Sequence, residues 1–180
     1  MRWPWKTSSR SDDPYWEAFI HRPPADLNNL IPHAFKQVTP GGVNPVKTEV
    51  HSPNVMSQQV KELAQFYGAD LVGIVATDRA PRFAIVCVLK SDHDTRQAHG
   101  IGGQAPAVKG LFATYTLGCY IRELGYTADS SDVDRERLAV AAGLGTLTPD
   151  GRLKTSKLGT NTYVAEILLT DLPLEPDGHT

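Results

Sequence analysis

Three glycine-bearing turns stand between a helix end and a core strand in residues 138–177, and no other stretch restricts the fold as much. Small residues run from Leu138 to Leu144 as the end of a helix. Gly143 and Gly145 then break it, because glycine reaches positive φ without a Cβ penalty. Pro149-Asp150-Gly151 joins a fixed φ, a side-chain acceptor and a free φ, which specifies a turn. Gly159 falls within a further loop. Tyr163–Thr170 reads as a single buried strand, ended by Pro173 and Pro176. Backbone at these glycines either only shapes turns or comes close to something flat.

The 180 residues suit one compact domain with a substantial core. A net charge of −2 gives no long-range field favouring nucleic acid. No apolar run is long enough to span a membrane, and the N-terminus lacks an apolar export region, so a cytoplasmic protein is expected. Only Cys87 and Cys119 are present. An iron–sulfur cluster takes about four thiolates, so none is expected, and both cysteines read as buried free thiols.

The first fifty residues, 1–50, form an irregular arm. Trp3, Trp5, Tyr15 and Trp16 lie among Pro, Ser and Asp, and this arm is too poor in apolar surface to fold alone. It either wraps over the domain or a partner chain, or covers a cofactor. The domain proper is expected over 51–180. Val55–Tyr67 is an amphipathic helix capped by Ser52 or Asn54, with Val55, Val60, Leu63, Ala64 and Tyr67 on its apolar side. Asp70–Thr77 and Arg82–Lys90 read as central strands. Ala105–Leu124 is the longest helix. Val108, Leu111, Phe112, Tyr115 and Cys119 form one apolar stripe, and Leu117, Ile121 and Leu124 a second. Gly110 and Gly118 within it imply close approach by a neighbour, since each costs about 1 kcal/mol relative to Ala. A short strand at Tyr126–Ala128 precedes a helix capped by Asp132 or Asp134. Helix, strand, strand, helix, strand, helix, strand is the order of an α+β sandwich, with helices covering a mostly antiparallel sheet.

Few residues outside the glycine turns carry chemistry. The glycines around Gly100–Gly103 match neither a P-loop nor a dinucleotide fingerprint and read as a flexible loop. His93 and His99 do not have a zinc spacing and read as solvated loop residues. No catalytic triad is recognisable, and no metal ligand or catalytic residue is assigned. Arg152, Lys154 and Lys157 form a basic cluster suited to a flavin phosphate.

Ala142-Gly-Leu-Gly145, the Asp150-Gly151 turn, the Lys157-Leu-Gly-Thr160 loop and Thr170-Asp-Leu-Pro-Leu-Glu-Pro-Asp177, in that order, resemble the cobalamin-binding part of reductive dehalogenases and epoxyqueuosine reductases. The resemblance extends more weakly through Tyr120–Tyr126 and Ala69–Ile74. It implies a nitroreductase-like αβ sandwich that binds a corrinoid. It places the ring against Gly143, Leu144, Gly145, Thr146, Leu147, Thr155, Ser156, Lys157, Leu158, Gly159, Asn161 and Tyr163. The family carries a cysteine-rich iron–sulfur segment after this point, and the sequence ends at Thr180 without one. The loop after Gly159 also lacks the arginine that relatives carry.

A corrinoid or related tetrapyrrole is thus the expected ligand, with the chain as carrier, storage or cofactor-processing protein, or as a B12 protein reduced by an external electron donor. Whether it is an enzyme stays open. The alternatives are an FMN-dependent nitroreductase-like oxidoreductase and a cofactor-free interaction domain. A homodimer is expected, with the arm or one stripe of the long helix at the contact.

Overall fold

The structure, a computed structural model, describes residues 41–78, 80–91, 105–131 and 133–177. The arm before residue 41, Asp132 and the 92–104 segment with His93, His99 and its glycines lie outside the described residues.

Helix α1 is Pro53–Phe66. Ser52 caps it, its hydroxyl accepting the Val55 N–H at 3.4 Å, and Pro53 occupies the first turn, where its missing N–H does no harm. Val60 and Ala64 are buried, with Met56, Leu63 and Tyr67 packed beside them. Val55, expected on this side, is 62% exposed. Five residues separate it from Val60, a rotation of about 140° on a 3.6-residue turn, so Met56 takes its place.

Strand β1 (Leu71–Ala76) pairs antiparallel with β2 (Phe83–Lys90), from Leu71↔Val88 to Ala76↔Phe83. Helix α2 (Ala105–Glu123), strand β3 (Ala128–Ser131) and helix α3 (Arg135–Ala141) follow. Asp134 caps α3, its carboxylate accepting the Arg137 N–H at 3.1 Å. Two short strands, β4 (Thr146–Leu147) and β5 (Leu153–Lys154), then form a hairpin absent from the expected order. The run expected as one strand is two, β6 (Thr162–Val164) and β7 (Ile167–Thr170). Both pair with β2, but Val88 faces Val164 while Ile85 faces Leu168. Two residues of β2 therefore oppose three on the other side, a bulge at Ala165-Glu166 that bends the strand. The short strand expected at Tyr126–Ala128 begins instead at Ala128, where pairing with Thr170 starts.

The sheet runs β1-β2-β7-β3, with β6 also on β2, and every pair is antiparallel. Its period-two alternation divides the core into two layers. Ile85, Cys87 and Leu89 point to the cluster covered by α1 and α2, whereas Ala84, Val86 and Val88 point to the one under α3 and the hairpin.

In α2 the core face is Ala113, Leu117 and Ile121, with Gly110 and Gly118. A Cβ on Gly110 would lie 2.9 Å from the Ala165 Cβ and 3.1 Å from Leu89 Cδ1, so the helix sits tight on the sheet. The stripe through Val108, Leu111, Phe112, Tyr115 and Cys119 is not core among the described residues, and Phe112 is 51% exposed. Cys119 is accordingly half-buried rather than buried, and Cys87 is buried. Burial pushes the Cys87 thiol up to about 12, which leaves it an inert core group.

Residues 170–177 strap the domain. Leu172 and Leu174 enter the core. The Ser57 hydroxyl accepts the Glu175 N–H at 2.7 Å. Asp177 completes the outer edge of β1: its N–H donates to the Ile74 carbonyl at 2.9 Å, and its carboxylate accepts the Ile74 N–H at 2.8 Å. Lys61 pairs with the same carboxylate. Asp171 holds the other end, accepting from the Thr127 N–H at 2.6 Å, the Thr127 hydroxyl at 2.7 Å and Lys47 at 3.1 Å. Partial burial draws its pKa up, but the Thr127 and Lys47 contacts outweigh this and leave it below the ordinary value. A lowered folded pKa means that its stabilisation is present above the unfolded value of about 3.9 and disappears as pH falls through the folded one. Asp171→Asn is expected to lower the thermal midpoint at pH 7, and the gap to wild type should narrow in melts as pH falls below the ordinary carboxylate value of about 3.9.

Candidate functional site

The end of α3 and the hairpin that follows make an open concavity of about 330 Å³, lined by Gly143–Thr146 and Lys154–Ser156. Its first wall is a helix C-terminus. The Gly143 N–H donates to the Val140 carbonyl and the Leu144 N–H to that of Ala139, the paired bonds of a Schellman ending. Gly143 has φ +71 and nothing within 4 Å of where a Cβ would stand. Gly145, expected at positive φ, is not; glycine is needed because a Cβ there would lie 2.2 Å from the Lys154 carbonyl oxygen.

The second wall follows from the Pro149-Asp150-Gly151 turn. The Thr148 hydroxyl donates to Asp150 at 2.6 Å and accepts the Arg152 N–H at 3.0 Å, closing the hairpin with Thr146 opposite Lys154. That hydroxyl, ahead of the Arg152 guanidinium, holds the Asp150 carboxyl below its usual range. Thr155 and Gly159 then bond to one another across a small loop, and the Thr155 hydroxyl accepts the Leu158 N–H at 2.9 Å. Ser156 and Lys157 stand exposed on that loop, while Leu158 packs toward the layer under α3.

Of the expected contact residues, Gly143, Leu144, Gly145, Thr146, Thr155 and Ser156 meet at this concavity. Leu147, Lys157, Leu158, Gly159 and Asn161 lie on the flanking segments and do not line it. Tyr163 is not brought to it either, for it packs with the α1–α2 layer on the other face of the sheet. Burial raises the Tyr163 pKa, against an opposing effect of Arg135. Lys154, expected in a basic cluster for a flavin phosphate and not among the ring contacts, lines the concavity; its register opposite Thr146 places it there. Arg152, expected beside Lys154 and Lys157 as a phosphate clamp, is paired with Asp150 at 2.6 Å.

The lining fits the rim of a large flat ligand. Exposed Gly143, Thr146 and Ser156 leave room for a ring edge, and hydroxyl and ammonium groups stand ready to meet polar substituents. Among the described residues, no group of three or more His, Cys, Asp or Glu side chains is placed to hold a metal ion. Nor is any described helix long and apolar enough to cross a membrane.

No family model and no curated protein matches the chain. Solved structures do. The catabolic reductive dehalogenase NpRdhA superposes with a TM-score of 0.69 at 22% identity, over 83% of this chain and 26% of that one. The same enzyme in complex with 3-bromo-4-hydroxybenzoic acid gives 0.69 at 22%, over 84% and 26%. A reductive dehalogenase whose structure suggests a mechanism for B12-dependent dehalogenation gives 0.68 at 22%, over 84% and 24%. The chain thus spans about a quarter of the length of these proteins and has the fold of that part.

Proposed function

We propose that this chain is a corrinoid-binding domain, holding cobalamin against Gly143–Thr146 and Lys154–Ser156. What carries the proposal is that the loops resembling a cobalamin-binding motif form an open concavity on the fold of a reductive dehalogenase segment. In this role Gly143, with open space where a Cβ would stand, keeps the wall low enough for a ring edge, and Gly145 lets the hairpin close beside it. Thr146, Ser156 and Lys154 supply a hydroxyl pair and a cation for amide or phosphate substituents. A bound cobalamin would supply a cobalt centre able to take up electrons and exchange axial ligands. An external electron donor is part of the proposal, and the scaffold is assigned to the nitroreductase-like type.

Purified protein titrated with hydroxocobalamin is expected to change the visible spectrum saturably, with a dissociation constant of tens of micromolar or below, and to retain cobalt on gel filtration. A parallel titration with FMN should give no saturable change. The opposite pattern would make this a flavin protein, and silence in both would leave an interaction domain.

Phe112 of α2, exposed among the described residues, supports a homodimer as the working form. Phe112→Asp is expected to halve the mass seen by light scattering. An unchanged mass would remove α2 from the contact.

A further inference from the structure

Arg122 is a buried cation with too few partners. It is 8% exposed, near the end of α2, and its guanidinium lies against Gly118, where a Cβ would stand 3.4 Å from one terminal nitrogen and 3.5 Å from the other. One of these nitrogens donates to the Ala128 carbonyl and the other meets the Cys119 sulfur at 3.6 Å. Nε finds no acceptor, and among the described residues no carboxylate lies within ion-pairing distance of the group. Buried guanidinium is ordinarily matched by an anion and by acceptors for its N–H groups, because its desolvation is otherwise uncompensated.

A cavity of about 200 Å³ lies beside it, between α2, β3 and the bulge. It belongs to the α1–α2 layer, on the opposite face of the sheet from the hairpin concavity. Leu111, Ala128 and Leu168 give it apolar walls, and Thr114, Tyr115 and Ser130 bring hydroxyls. Asp129 and Glu166 line it as well.

We propose that this cavity binds a small organic carboxylate that also carries a hydrogen-bond donor. The carboxylate meets the terminal nitrogens of the Arg122 guanidinium, which carry further N–H groups beyond those directed at Ala128 and Cys119. The hydroxyl or ammonium of the ligand faces Glu166, and its apolar body lies on the leucines. Glu166 disfavours a bare polyanion such as sulfate or phosphate, and the small volume favours a compact ligand. This site does not depend on the corrinoid.

Mandelate is a suitable probe, and mandelamide is its neutral counterpart of the same shape. Mandelate is expected to raise the thermal midpoint saturably, by about 3 °C at ten times its dissociation constant, with mandelamide giving at most a small rise. Arg122→Met should abolish the rise. Leu111→Trp fills the cavity from a half-exposed wall with Arg122 retained, so it decides the matter even where Arg122→Met does not fold. Equal responses to both probes, no response to mandelate, or a rise that survives in Leu111→Trp would overturn the proposal.

Discussion

Gly145→Val is expected to destabilise the domain by about 3 kcal/mol, the upper part of the usual overpacking range. The valine Cβ would stand 2.2 Å from the Lys154 carbonyl oxygen and 2.9 Å from its carbon. Both are backbone atoms, so relief requires opening the β4–β5 hairpin and lifting Leu153 from the core. Gly143→Ala makes the useful contrast. It meets open space and carries only the penalty of a left-handed φ, about 1–2 kcal/mol. Denaturant midpoints of the two variants check this, and equal losses would show that close approach at Gly145 does not hold the hairpin.

Leu117→Ala should also be costly, about 2–5 kcal/mol, because Leu117 is fully buried between α2 and the sheet. Val55→Ala should stay within about 0.5 kcal/mol, since that side chain is largely in water. Urea unfolding of both separates the layer under α2 from its surroundings. A large loss at Val55 would place the apolar face of α1 where its sequence first suggests.

That contrast shows what the sequence makes legible. Long periodic segments, α1, β1, β2 and α2, are readable because burial imposes a period on them. What periodicity leaves open is which of two stripes faces the core. In α2 the decision lies with Gly110 and Gly118, which let the helix settle onto Ala165, Leu89 and Leu168, and glycines are silent in an apolar count. The β6–β7 break is unreadable for a related reason: YVAEILLT is uniformly apolar around Glu166, and the bulge is set by pairing with β2. At the candidate site the loops and their order were legible through turn chemistry, but the roles of the glycines were not. Gly143 ends a helix and Gly145 admits a carbonyl, so neither needs a ligand to explain it. Likewise the Thr170–Asp177 stretch, which resembles a family signature, spends its carboxylates on Thr127, Lys47, Lys61 and Ile74. The case for a ligand rests on the concavity those structural roles leave behind, and on the fold that carries it.

The most direct test places an obstacle in that concavity without touching the core. Ser156 is exposed and lines it, so Ser156→Trp should leave the thermal midpoint within about 1–2 °C of wild type, as surface changes do. The account predicts that the same substitution weakens hydroxocobalamin binding at least about tenfold, or about 1.4 kcal/mol. Cobalamin affinity equal to that of wild type, in a protein of unchanged stability, would contradict it and move the corrinoid away from these loops.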